Sequence, residues 1–88
     1  MSVWMLGRLT TGDYDAWRVV FDSKLPLRQS HGLMQQMVFR DGDVATVVLE
    51  FPDAAAMEGF RNDPALRAAM QESGVTAADM TGPWEKVS

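Results

Sequence analysis

Apolar positions along this chain follow two alternating periods. From Ser2 to Leu9 both faces of an extended segment are apolar, with Val3 and Met5 pointing one way and Trp4 and Leu6 the other, until Arg8. Thr11-Gly12-Asp13 breaks that strand, and Asp13 is placed to cap a helix. The period then becomes helical, with Tyr14, Trp17, Val20, Phe21 and Leu25 recurring every three or four residues. Pro26 is expected to bend or end this helix, leaving one further turn over Leu27 to Ser30 before a glycine cap at His31-Gly32. Leu33 to Arg40 and Val44 to Phe51 read as paired strands around Asp41-Gly42-Asp43, with Asp-Gly as the tight-turn pair. Asp53 predicts a second helix carrying Met57 and Phe60 on one face, and Asp63-Pro64 a fresh helix start. The stripe continues through Leu66, Ala69 and Met70 to a stop at Gly74. Met80 to Val87 is expected to form a last strand, which Pro83 confines to a sheet edge or to its own end.

The order β-α-β-β-α-β predicts one α+β domain over residues 1–88, a ferredoxin-like four-stranded antiparallel sheet. Strands one and three, apolar on both faces, belong in the centre. Strand two, with Gln35-Gln36, and strand four, with Pro83, belong at the edges. Two helices can cover only one face of such a sheet. If Phe51 faces the helices, the Val44, Thr46 and Val48 side needs another cover, because apolar patches of several hundred Å² are unusual on a soluble monomer. The expected cover is the same face of a second copy, which predicts a homodimer.

Composition narrows the chemistry. With 88 residues there is room for one domain, which buries roughly 60–70% of its unfolded surface. The lack of cysteine removes disulfides, thiol nucleophiles and thiolate metal sites, and one histidine leaves little for any other; no metal is expected. A net charge of −4 argues against nucleic acid as a partner. The apolar runs are too short to span a membrane and Met1-Ser2-Val3-Trp4 does not resemble a signal peptide, so a cytoplasmic protein is expected. Residues 1–40 carry 5 basic and 3 acidic side chains, whereas residues 41–88 carry 3 and 9. That split describes either a solvated acidic face in the second half or a mildly basic pocket built from the first.

Four segments stand out: Asp13-Tyr14-Asp15-Ala16-Trp17, Leu27-Arg28 before His31-Gly32, Val48-Leu49-Glu50-Phe51 leading into Asp53, and Pro64 to Met70 before Gly74-Val75. Together with the element order they resemble small bacterial proteins of the dimeric α+β barrel superfamily, which includes antibiotic-biosynthesis-monooxygenase-like and small polyketide-cyclase-like proteins. The resemblance implies two subunit sheets packed into a barrel, with a cavity in each subunit between sheet and helices. It implies a hydrophobic or aromatic small molecule as ligand. The activities it brings with it include cofactor-free oxygenation of aromatic polyketides, cyclisation, lactone isomerisation and haem chemistry. Haem cleavage fits poorly, since Asn62 is the only asparagine and lies late in the second helix, and His31 sits on a loop. No cofactor is expected.

Against that background His31 is either a general base at the pocket mouth or a charge at a helix C-terminus. Tyr14 and Trp17 either meet a planar substrate, with the tyrosine as hydrogen-bond donor or base, or fill the core. Arg8, ending a central strand, either holds a substrate oxyanion or pairs with Glu50. Arg28 is an anion clamp or a surface residue. Met5, Met37, Met57 and Met70 either line a forgiving pocket or fill core gaps, and Phe60 joins them on the substrate side. Trp4 and Trp84 wall the cavity or pack between subunits. Two functions follow: a cofactor-free monooxygenase or cyclase working through an enolate, with His31, Tyr14 and Arg8 as catalytic groups and Trp17, Arg28, Met37, Met57 and Phe60 binding substrate, or a non-catalytic ligand-binding or accessory dimer.

Overall fold

The computed structural model describes residues 1–88, in the order β1 (Val3–Thr11), α1 (Tyr14–Ser23), α2 (Leu25–Ser30), β2 (Gln35–Asp41), β3 (Val44–Phe51), α3 (Ala54–Arg61), α4 (Pro64–Glu72) and β4 (Val75–Trp84). Three aspartates start three helices. Asp13 Oδ1 accepts from the Ala16 N–H at 3.2 Å, Asp53 Oδ1 from Ala56 at 2.8 Å and Asp63 Oδ1 from Ala65 at 2.9 Å. Pro26 does what its missing N–H dictates. It is tolerated only in a first turn, so the helix breaks at Lys24 and restarts as α2, which ends at Gly32 with φ 89°. No helix is long and apolar enough to cross a membrane.

All pairings are antiparallel and the strand order is β2-β3-β1-β4, as the apolar patterns of β1 and β3 require. Several boundaries differ from expectation: β1 runs on to Thr11 rather than stopping at Leu9, and β2 starts at Gln35 rather than Leu33. The β2–β3 turn is Gly42-Asp43 rather than Asp41-Gly42, because Asp41 pairs with Val44 and glycine takes the first central position at φ 58°. Strand β4 starts at Val75, not Met80, and stops at Trp84. The edge of β1 needs partners along its whole length, and small residues supply them, with Thr10 opposite Ala77 and Leu9 opposite Ala78.

The helices cover one sheet face. Ala45, Val47, Leu49 and Phe51 of β3 and Met5 and Leu9 of β1 are buried there, beside Trp17, Met57 and Phe60. The other face carries Leu6 between Val48 and Thr81, Met37 beside Val48 and Phe39 beside Thr46. Leu6, Met37 and Phe39 are 38%, 39% and 56% exposed.

Register overturns one expected ion pair. Arg8 stands opposite Thr46 and Asp79, whereas Glu50 stands opposite Trp4, four residues or about 13 Å further along the strand. Glu50 instead accepts a 2.6 Å hydrogen bond from the Ser2 hydroxyl. Arg8 is exposed.

Candidate functional site

Between the covered sheet face and the helices lies a cavity of about 70 Å³. Its floor is Met5, Gly7, Leu9, Val47, Leu49 and Met80. Gly7 keeps that floor low: a Cβ there would meet Met80 Cγ at 3.6 Å, an ordinary contact, so the missing side chain leaves open volume rather than relieving a clash. One wall is aromatic, with Trp17 stacked on Phe21 at 4.8 Å between ring centroids, one helical turn apart on α1. Phe60 and the α4 residues Leu66, Ala69 and Met70 close the opposite side. Lys24 and Ser73 also line the cavity, and a 3.0 Å bridge from Lys24 Nζ to Glu72 Oε2 ties the α1–α2 junction to α4.

The one polar group deep in this wall is Arg28. Its side chain is only 4% exposed, although nothing in the composition of α2 demands burial of a charge. Nε donates to Gln36 Oε1 at 3.0 Å, and the guanidinium carbon lies 3.8 Å from the Phe21 ring centroid. Nη2 is buried without a hydrogen-bond partner. Burial lowers the guanidinium pKa from its ordinary value to about 10, with Arg18 adding to the fall and Asp22 opposing it.

No family model and no curated protein matches the chain. Solved structures do. SnoaB, a cofactor-independent oxygenase from Streptomyces nogalater, superposes with a TM-score of 0.76 at 13% identity, over 91% of this chain and 88% of that one. A Caulobacter crescentus protein assigned as an antibiotic biosynthesis monooxygenase gives 0.72 at 12% identity, over 91% and 85%. A Mycobacterium tuberculosis protein gives 0.66 at 18% identity over 100% of both chains. The fold is that of the antibiotic-biosynthesis-monooxygenase-like proteins. At such identities the likeness is one of architecture.

On this fold, three of the eight residues expected to act on or bind substrate meet at the cavity: Trp17, Arg28 and Phe60. The others stand elsewhere. Arg8 and Met37 lie on the far sheet face. Met57 is fully buried in the core, outside the cavity lining, whereas Met5, Met70 and Met80 do line it. Tyr14 packs its ring 5.5 Å from Trp17 but faces outward, under the Arg40 guanidinium at 4.3 Å and with Arg18 Nη1 donating to its hydroxyl at 3.4 Å. Trp4 and Trp84 pair across β1 and β4 on the far face, which removes them from the cavity.

His31 has an acid after all. Its Nε2 is 2.8 Å from Asp63 Oδ2, and its ring meets Phe60 edge-on at 5.9 Å, on the side of Phe60 away from the cavity lining. The contact staples the end of α2 to the start of α4. The His31 hydrogen bond, helped by the Ala65 N–H, holds the Asp63 carboxyl below its ordinary 3.8. A carboxylate depressed in this way contributes stability above its unfolded-state pKa and loses it as pH falls through the folded one. Asparagine at position 63 keeps the helix cap but not the charge. The melting temperature of Asp63→Asn is therefore expected to lie below wild type at neutral pH, with the gap closing as pH is taken below 3.8. A gap independent of pH would remove the carboxylate from this account.

Proposed function

We propose that the chain is a cofactor-free, monooxygenase-like enzyme acting, as a cytoplasmic homodimer, on a small enolisable or phenolic molecule held between sheet and helices. The observation that supports it best is the convergence of an aromatic wall and one cation on a single apolar cavity: Trp17 and Phe21 offer flat faces, and Arg28 offers the charge. In oxygenation without a cofactor the substrate supplies the electrons itself, so it must react as an electron-rich anion. A guanidinium in a water-poor wall stabilises that anion more strongly than water would. Neither carboxylate nor imidazole lines the cavity. The substrate therefore arrives ionised or is acidic enough to lose its proton to solvent. This same shortage of a base favours a second reading, a ligand-binding protein without turnover.

Cavity size bears on the substrate. An engineered cavity of about 150 Å³ holds benzene. The 70 Å³ here admits fewer atoms at once, so even a single ring enters only as α1 and α4 separate across the Lys24–Glu72 bridge, and a bicyclic ring needs a wider opening. Acetylacetone and 2-naphthol serve as small and large probes. Oxygen uptake above the buffer rate is expected with at least one of them in chelator-treated buffer, and so is a rise in melting temperature. Gly7→Val points a branched side chain into the cavity. It should raise the melting temperature of the free protein, with a gain of about 1 kcal/mol, and cut uptake and ligand-induced stabilisation at least tenfold. Stabilisation without uptake would leave the binding reading in place of the enzyme. Full activity in Gly7→Val would place the site outside the cavity.

A further inference from the structure

We infer that Arg28 is the recognition point for an oxyanion, so that the cavity takes small apolar molecules ending in a carboxylate or an ionised enol, in preference to neutral ones of the same shape. The inference rests on the cavity being the ligand site and adds the charge of the ligand.

Its basis is a charge that the fold does not explain. A buried arginine normally meets a carboxylate or several acceptors, since an unpaired buried cation is strongly unfavourable. Arg28 has one neutral acceptor, Gln36 Oε1, and one aromatic face, Phe21. Nη2 has no partner at all, and Arg28 is 96% shielded from solvent by the protein, with 4% exposed. A methionine at this position would fill the same space beside Phe21 with no charge to desolvate. What is missing around Nη2 is an anion, and the cavity lining does not supply one: Lys24 and Arg28 are the only charged residues among the 17 that line it, and both are cations. Asp22, which acts on Arg28 from outside the lining, is bonded to Arg18 at 2.9 Å, and Lys24 is bridged to Glu72, so Arg28 is the lining cation without a carboxylate partner. The depressed value of about 10 still leaves Arg28 charged at neutral pH. With Nε held by Gln36, the guanidinium is fixed in orientation, and its Nη2 end, enclosed in the free protein, meets a carboxylate or enolate oxygen as the wall opens.

The experiment compares isosteric pairs: hexanoate with hexanamide, and benzoate with benzamide. Binding is followed by calorimetry and melting temperature for wild type, Arg28→Met and Gly7→Val. Wild type is expected to bind each carboxylate at least tenfold more tightly than its amide. Arg28→Met should erase that preference, leave amide binding within about twofold, and raise the melting temperature of the free protein, because a desolvated charge has gone. A structural arginine would do the reverse, lowering the melting temperature on removal, and that result overturns the inference. Equal binding of acid and amide by wild type, both weakened by Gly7→Val, would overturn the charge preference and leave the cavity standing. Binding that Gly7→Val leaves intact would overturn the cavity reading itself. The wild-type acid–amide comparison needs no variant, so it decides the charge question even if Arg28→Met fails to fold.

Discussion

Trp17→Ala is expected to be the most damaging single truncation on the helical side, costing about 3–5 kcal/mol of stability. A chain of this length has roughly 4–13 kcal/mol in all, so the variant sits near the edge of folding. The indole is 2% exposed, stacks on Phe21 at 4.8 Å and joins the same core cluster as Met5, Leu9 and Phe60. Its loss removes the main anchor of α1, which buries no other residue fully. It also enlarges the cavity, because Trp17 is part of the lining. Urea unfolding followed by circular dichroism measures the loss, with Val19→Ala as control: Val19 is 71% exposed and should cost well under 1 kcal/mol. Since the new space is apolar, indole added to Trp17→Ala is expected to restore part of the lost stability and to do nothing for wild type. A loss below about 1 kcal/mol would mean that the wall has collapsed onto the gap, or that α1 is held by other contacts.

Trp17 also shows what the sequence makes legible. Its place on the α1 stripe, the aspartate caps at 13, 53 and 63, and the double-faced apolar character of β1 and β3 are local signals, and local signals suffice for element order and strand order. The site needs more than that. Residues 17, 21, 24 and 28 fall on one helical line, so the burial of Arg28 beside Phe21 had a visible cue. The expected break at Pro26 hid it, because a broken helix gives no reason to carry the phase across, yet α2 restarts close to the old phase. Gly7 in the middle of an apolar central strand was a second cue, to a place where a missing side chain leaves volume open.

Other features had no cue. His31 and Asp63 are 32 residues apart and meet only because α2 and α4 end and begin on the same side of Phe60. The Arg8–Glu50 pairing failed for the matching reason: both residues are on central strands, but the register of β1 against β3 puts them about 13 Å apart. The consequence for chemistry is specific. The groups expected to move protons, His31 and Tyr14, stand outside the cavity, as does Arg8, expected to hold an oxyanion, while Arg28, the expected anion clamp, and Trp17, expected against a planar substrate, stand in it. The enolate half of the proposed mechanism therefore has residues to carry it, and the base has to come from the rim, from solvent or from the substrate's own acidity.

Leu6→Lys is expected to leave the protomer folded and to abolish self-association. Leu6 is on a central strand, between Val48 of β3 and Thr81 of β4, on the face that no helix covers. With Val48, Met37 and Phe39 it forms an apolar stretch across three strands, and Phe39 alone is 56% exposed. A standard interface buries about 800 Å² on each partner, which a four-stranded sheet face can provide. Under a two-fold axis one substitution enters the interface twice. Each buried, unpaired ammonium costs several kcal/mol, so association should weaken by at least about a hundredfold. In the isolated protomer the same lysine reaches water from a position already 38% exposed, and the core on the other face is untouched. Sedimentation velocity at micromolar concentration separates the outcomes: wild type is expected at twice 9.8 kDa and the variant at 9.8 kDa with an unchanged circular dichroism spectrum. Val19→Lys, on the outer side of α1, should sediment like wild type. A wild-type monomer would leave the apolar face without its expected cover, and a Leu6→Lys dimer would move the interface off the sheet.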